Sequence, residues 1–321
     1  ARLPENPEIR RIFRGMFERE YVRLLGESRF DAAIDFEGYN LYWSSFIAFM
    51  PAWATKHRAI YQHNDKLAEC RDRFPSLELN FRLYPFFDRL ISVSEKTMEL
   101  NASSLALRYE VPRDRFGFAE NMLNGREVLA MADEPLEKAE DERWLSGEGP
   151  LFISVGRLSI EKDHRKLIRA FAQLRKSLPE ARLLVIGDGP LHAELRRFVK
   201  RLKLGGKVRL PGFRKNPFPY LKRADCFVLS SNHEGQPMVL LEALILGKPI
   251  VATDIAGSRG VLEGRSGLLV ENSVQGLVKG MSAFADGKVA AGSLDVDAYR
   301  KNALLAFYQK SCGFSDWPDD A

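Results

Sequence analysis

From residue 149 onward, short apolar runs alternate with amphipathic stretches, and this alternation restricts the fold more than any other property of the chain. GPLFISVG (149–156), ARLLVIG (181–187), VRLPGF (208–213), ADCFVLSS (224–231), PIVAT (249–253) and GLLVEN (267–272) read as strands, mostly continuous apolar runs of the kind buried on both faces. Between them lie helical patterns: over 161–177, where Leu167, Ile168, Phe171, Ala172 and Leu174 share a face, over 191–202, from Met238, and over 274–285. Strands alternating with helices across short turns predict a doubly wound parallel sheet.

The first half is less regular. FDAAIDF (30–36), HRAIYQH (57–63) and RLISVS (89–94) read as strands, with helices expected over 41–49, 75–87 and 95–108. A second sheet of the same kind accounts for them, so the expected class is α/β with two Rossmann-like, doubly wound parallel-sheet domains. At 321 residues the chain is long enough for two domains with substantial cores. The expected division is a first domain over 1–124, a charge-rich linker over 125–148 that contains Pro135, and a second domain over 149–290. A helix over 294–313 is expected either to cover the second domain's core or to cross back to the first. The chain opens on a polar helix (5–25) where a domain of this kind normally opens on a strand with a glycine turn. The N-terminal domain is therefore expected to be incomplete, and the chain to be part of a longer polypeptide.

One segment, SNHEGQPMVLLEALILG (231–247), concentrates the chemistry. It joins a buried strand to an apolar helix through a loop, so its polar groups gather where the strand's carboxyl end meets the helix's amino end. Open α/β sheets bind ligands there, because unpaired N–H groups and the helix dipole favour an anion. Glu234 lies in the loop, and Glu242 lies eight positions on, among Leu240, Leu241, Ala243 and Leu244. A half-buried carboxylate needs a partner, and a vicinal diol can supply one. SVGRLSIEKDH (154–164) leaves another strand at Gly156, with Arg157 next to it and Lys162 entering the following helix. Gly156 permits close backbone approach, and the two cations can clamp a diphosphate.

Charge and cysteine usage narrow the remaining possibilities. The net charge is only +5, but between Glu194 and Arg223 the basic residues are Arg196, Arg197, Lys200, Arg201, Lys203, Lys207, Arg209, Arg214, Lys215, Lys222 and Arg223. A solvated helix face explains such a run, as does attraction of an anionic substrate or an anionic membrane surface. No nucleic acid partner is expected, because stacking aromatics do not interleave with the cations. Cys70, Cys226 and Cys312 lack metal-ligand spacing and read as reduced thiols of a cytoplasmic protein. No apolar stretch reaches the roughly 20 residues of a membrane span.

HEGQPMVLLEAL, the GR…EK of 156–162, VIGDGP (185–190) and GKPIVATDIAGSRG (247–260) together resemble the retaining glycosyltransferases of family four. The resemblance covers 149–285 and implies the GT-B fold, in which two Rossmann-like domains face across a cleft and the second holds most of the nucleotide-sugar donor. Carried over by position, it implies that Gly156, Arg157 and Lys162 bind the donor diphosphate and Glu242 the ribose hydroxyls. It also implies that the backbone of Gly235, Gln236, Met238 and Val239 contacts sugar and phosphate, with catalytic roles for Glu234 beside the sugar and for His63 in YQHND (61–65). Retention of anomeric configuration, no metal and no cofactor are implied, the nucleotide sugar (UDP first among them) being a substrate. FEGYNLYWSSFIAF (36–49) and LYPFFDRLISVSE (83–95) are similar to bacterial enzymes that glycosylate cell-surface polymers such as teichoic acids. The resemblance thus implies transfer of a hexose or N-acetylhexosamine to a polymer or lipid-linked glycan acceptor, in the cytoplasm or peripherally at the inner face of the membrane. Alternatives are a nucleotide-sugar-binding pseudo-enzyme module of a larger polymer-building protein, or a GT-B sugar-nucleotide epimerase.

Overall fold

A computed structural model describes residues 7–315. The chain divides into two units, one running to Met122 and resuming at Lys301, the other spanning Leu123–Arg300.

The first unit runs α1 (Pro7–Leu25), β1 (Phe30–Asp35), α2 (Leu41–Ala48), β2 (Thr55–Gln62), α3 (Lys66–Asp72), α4 (Leu77–Phe81), β3 (Arg89–Ser92), α5 (Glu95–Leu105) and β4 (Phe116–Phe118). Its four strands form a parallel sheet in the order β1-β2-β3-β4. The three expected strands are present; α3 and β4 lay outside the sequence reading. The helix expected over 75–87 breaks into α4 and a 3-10 turn at Tyr84–Phe86. Pro85 accounts for the break, since it has no N–H to donate and disfavours α geometry at the residue before it. Side-chain caps fix the helix starts: Asn40 accepts from the N–H groups of Tyr42 and Trp43, and Ser94 from that of Thr97.

The second unit runs α6 (Gly125–Ala132), α7 (Ala139–Leu145), β5 (Leu151–Val155), α8 (His164–Leu174), β6 (Arg182–Ile186), α9 (His192–Arg201), β7 (Val208–Gly212), α10 (Phe218–Arg223), β8 (Cys226–Leu229), α11 (Met238–Ile245), β9 (Ile250–Thr253), α12 (Ala256–Leu262), β10 (Leu268–Val270) and α13 (Val274–Ala285). Six parallel strands lie in the order β10-β9-β8-β5-β6-β7. Alternate residues feed two cores: Phe152, Cys226, Val228 and Val251 pack on one face, and Leu151, Ile153, Phe227, Leu229, Ile250 and Ala252 on the other. Both faces are covered, which is why these strands read as unbroken apolar runs. From β5 the chain winds outward through β6 and β7, then returns to the other side of β5 with β8. The sheet therefore has its topological switch point between β5 and β8, where loops from the two strands diverge and leave a crevice.

The stretch 125–148, expected as a linker, carries α6 and α7 and groups with the second unit. Its acids pair with the basic run further along: Asp133 with Lys222, Asp141 with Arg209 and Arg214, and Glu142 with Arg223. High charge here reflects counterions of a folded surface. The tail forms α14 (Val296–Ala306) and a π-helical turn (Phe307–Ser311). In the first unit, Ala306 and Phe307 pack against Ala59, Tyr61, Ile91 and Val93, and Tyr61 Oη and Ser311 Oγ share a buried hydrogen bond of 2.7 Å.

Candidate active site

Two loops meet at the switch point. The one leaving β5 holds Gly156, Arg157 and Lys162; the one leaving β8 holds Glu234, Gly235 and Gln236. The first is laced to the GDGP turn after β6: the Leu158 N–H donates to the Asp188 carbonyl at 2.9 Å, and the Leu191 N–H to the Leu158 carbonyl at 3.0 Å. Gly187 has φ +140°, and a Cβ there would lie 1.9 Å from the Gly156 carbonyl oxygen. Only glycine allows the two turns to pass so closely. The two principal loops are tied as well. Ser230 Oγ donates to the Lys162 carbonyl at 2.8 Å, and the Asn232 N–H donates to the Glu161 carbonyl at 2.8 Å.

These ties place Lys162 against Glu234 although 72 positions separate them. Lys162 Nζ donates to Glu234 Oε1, and Ser231 Oγ donates to the same oxygen at 2.7 Å. The two side chains are 21% and 14% exposed, so the pair is sheltered yet still reachable from solvent. Arg157 is exposed at the same strand end. Helix α11 begins right after the Glu234 loop; Pro237, which precedes it, offers no capping side chain, and its carbonyl takes the Leu240 N–H at 2.9 Å. Met238 and Val239 are half-buried in that first turn, whereas Gln236 turns inward and donates to the Tyr299 hydroxyl at 3.2 Å.

Glu242 sits one turn into α11, half-buried. Burial pushes its carboxyl up to about 7, with no partner side chain among the described residues to favour the charge. A carboxylate desolvated in this way is poised to accept hydrogen bonds from an incoming polar group.

Four residues that the sequence reading left without a role support the site. Ser231 holds Glu234. Gly257 in α12 packs on the backbone of Glu234; a Cβ there would lie 2.4 Å from the Glu234 carbonyl oxygen. Lys166, buried in α8, donates to Asn232 Oδ1 at 2.6 Å and to Asn272 Oδ1, and pairs with Asp163 at 3.5 Å. It thereby joins the loops after β8 and β10 to the start of α8. Asp163 itself adopts φ 41° and caps that helix by accepting from the Lys166 N–H at 3.1 Å. The helix accordingly starts at His164, three residues later than the apolar pattern indicated. Among the described residues, no group of three or more His, Cys, Asp or Glu comes together that could hold a metal ion.

His63 belongs to the first unit, just past the end of β2. Its Nε2 lies 2.5 Å from the Phe36 carbonyl oxygen, and its ring stands edge-on to Phe36 and stacks on Tyr61. A carbonyl accepts only, so Nε2 carries the proton. Burial lowers the imidazole's pKa, which keeps the ring neutral with the Nδ1 lone pair as its remaining polar function. Beneath it, Lys66 is fully buried, donates to Glu69 at 3.1 Å, and lies 3.5 Å from the Tyr39 ring centroid.

Comparison with known proteins bears on these geometries. The sequence model of the family Glycosyl transferases group 1 matches residues 137–299, just over half of the chain. An uncharacterized glycosyltransferase of Methanocaldococcus jannaschii is 32% identical over 180 residues, 56% of this chain and 44% of that protein. The N-acetylgalactosamine-N,N'-diacetylbacillosaminyl-diphospho-undecaprenol 4-alpha-N-acetylgalactosaminyltransferase of Campylobacter jejuni is 40% identical over 121 residues, 37% of this chain and 32% of that protein. The matches thus span less than half the length of these curated relatives. Among solved structures, Anabaena HepE in complex with UDP superposes with a TM-score of 0.67 at 17% identity, over 94% of this chain and 78% of that one. TarM superposes with a TM-score of 0.67 at 15% identity, over 91% of this chain and 55% of that one. The fold is accordingly GT-B, with two parallel-sheet α/β units of four and six strands.

Proposed function

Because the chain belongs to the group 1 glycosyltransferases, we propose that it transfers a hexose or N-acetylhexosamine from a nucleoside-diphosphate sugar, UDP first among the bases, to a hydroxyl of a cell-surface glycan or polymer with retention of configuration. The observation that carries this reading is the Lys162–Glu234 pair at the switch point, beside the start of α11. An incoming diphosphate draws Lys162 away from Glu234 and also meets Arg157 and the first N–H groups of the helix. Glu234, released, faces the positive charge that grows on the sugar ring, and Glu242 accepts from the ribose hydroxyls. Neutral His63 offers Nδ1 to a sugar hydroxyl.

In the transfer itself the bond from the anomeric carbon to the phosphate oxygen breaks, the acceptor oxygen bonds to that carbon from the same face, and the acceptor proton passes to the leaving phosphate. Arg157, Lys162 and the helix terminus balance the leaving charge without a metal ion. The relatives point to the acceptor class: one acts on an undecaprenol-linked sugar, and another is named a putative colanic acid biosynthesis glycosyltransferase of Escherichia coli.

The test is calorimetric titration with UDP, GDP and CDP, with and without magnesium, on the chain and on Lys162→Ala. One nucleotide is expected to bind without metal and to lose at least about tenfold in affinity in the variant, with turnover falling about 100- to 1,000-fold. Failure of every nucleotide to bind would remove the donor-site assignment. Conversion of the sugar nucleotide in the absence of any acceptor would replace transfer by epimerisation.

A further inference from the structure

His63, Asn64 and Asp65 alone join the end of β2 at Gln62 to the start of α3 at Lys66. So short a turn needs outside partners for main-chain groups that neither the sheet nor the helix can pair, among them the N–H of Lys66 in the first turn of α3. One side chain meets two of these groups: Asn101 of α5, fully buried. The Lys66 N–H donates to Asn101 Oδ1 at 2.9 Å, and Asn101 Nδ2 donates to the Asn64 carbonyl at 3.0 Å. Asn101 Nδ2 also donates to Ser92 Oγ at 3.3 Å, and Ser92 Oγ donates to Gln62 Oε1 at 3.2 Å. Gln62, Asn64 and Lys66 are thus tied to α5 and to the end of β3, and His63 lies between the tied positions.

Residue type decides what can fill this place. A backbone N–H only donates and a carbonyl only accepts, so a side chain between them needs an acceptor and a donor at its tip. A carboxamide has both, whereas a carboxylate of the same shape has no donor to offer the Asn64 carbonyl. The other support of the ring is built separately. The Phe36 carbonyl that accepts from His63 Nε2 belongs to a turn in which Asp35 accepts from the Gly38 N–H at 2.9 Å and from Ser44 Oγ at 2.5 Å. A Cβ on Gly38 would lie 2.4 Å from the Tyr61 carbonyl oxygen, so this turn rests directly on the end of β2. The bond from Nε2 to Phe36 therefore forms only while the turn over 62–66 is held at the matching height.

We propose that Asn101 is a positioning residue for sugar transfer: by clamping the turn on both sides of His63, it fixes the tautomer of the ring and the direction in which Nδ1 faces a sugar hydroxyl. The inference rests on the role given to His63 above and adds to it what holds the ring. Asn101 acts through His63 and touches no substrate itself. A side chain that only satisfied buried backbone groups would cost stability when replaced, yet would leave the ring of His63 and the rate as they are.

The test is NMR of the histidine ring nitrogens in the full chain, which has five histidines, with His63→Ala to assign the signals. The wild-type ring of His63 is expected as the Nε2–H tautomer alone, and Asn101→Asp as a mixture of both tautomers. Asn101→Ser adds no charge, is expected to give the same mixture, and serves where Asn101→Asp does not fold. Unchanged signals of His57, in β2 of the same sheet, show that the unit is intact. A single Nε2–H tautomer in a folded variant would overturn the clamp. Release of sugar from UDP-glucose or UDP-N-acetylglucosamine, with water as acceptor, gives the second readout. Asn101→Ser is expected to lose up to about a hundredfold in kcat with little change in KM. Added to His63→Ala it is expected to cost nothing further, and losses that multiply in the double variant would overturn the proposal. Wild-type turnover in His63→Ala would remove the role of His63 itself, and with it the part of Asn101 in transfer, while the ring signals would still report whether Asn101 holds the turn.

Discussion

At the residue scale Glu242 carries the most specific consequence. Its carboxyl is raised to about 7 by burial, against an ordinary value of 4.5 in the unfolded chain. Between these values the unfolded state binds fewer protons than the folded one, so stability falls as pH rises through that window and is constant above it. The full loss is at most about 3 kcal/mol. Glu242→Gln, which cannot ionise, is expected to flatten the fall between pH 4.5 and 7 and to melt higher than wild type at pH 8. A ligand that donates hydroxyl hydrogen bonds to the ionised carboxylate must also draw its proton off. UDP binding near pH 6.5 is therefore expected to release a proton, read as a dependence of the calorimetric heat on the ionisation enthalpy of the buffer. Buffer-independent heat would show that Glu242 does not meet the ribose, and Glu242→Gln should abolish the dependence together with most of the affinity.

At the scale of elements, the close packing of α12 on the Glu234 loop is the feature to test. Gly257→Ala places a methyl group 2.4 Å from the Glu234 carbonyl oxygen, and backbone cannot yield as a flexible side chain would. The variant is expected to lose about 1–3 kcal/mol of stability and most turnover, because either α12 or the loop must move. Gly205→Ala, with open space around it, is expected to be neutral in both melting and rate assays; turnover at the wild-type level in Gly257→Ala would show that the loop's position does not matter. This contact also marks where the sequence stopped being legible. Strands buried on both faces announce themselves as apolar runs, so β5, β6, β8 and β9 could be read from the sequence, and with them the loops that bear Lys162 and Glu234. Helix α12, AGSRGVL, is seven residues with two glycines and has no periodic stripe to find. Lys166 gives no signal in the sequence, because its ties to Asn232 and Asn272 depend on chain separations of 66 and 106 positions, which no local pattern encodes. The helices over 125–148 were hidden for a related reason. Their acids find cations far along the chain, and charge without visible partners resembles a linker.

At the scale of the molecule, the two units bury separate cores, and the candidate donor residues other than His63 all lie in the second. A ligand held by one unit stabilises that unit directly, by about 2.7 kcal/mol at a hundred times its dissociation constant. For units of this size such a gain raises a melting transition by several degrees. Scanning calorimetry of the full chain is therefore expected to resolve two transitions, of which UDP raises one. The other can be identified through the tail. Ser311 is fully buried in the first unit, where its hydroxyl bonds to that of Tyr61. Ser311→Asp puts a charge into that buried space, and burying a charge costs several kcal/mol. The substitution is expected to lower the transition that UDP leaves in place, and to leave UDP affinity at the wild-type level. A shift of the UDP-sensitive transition by Ser311→Asp would mean that the units melt as one, and that nucleotide binding draws on both.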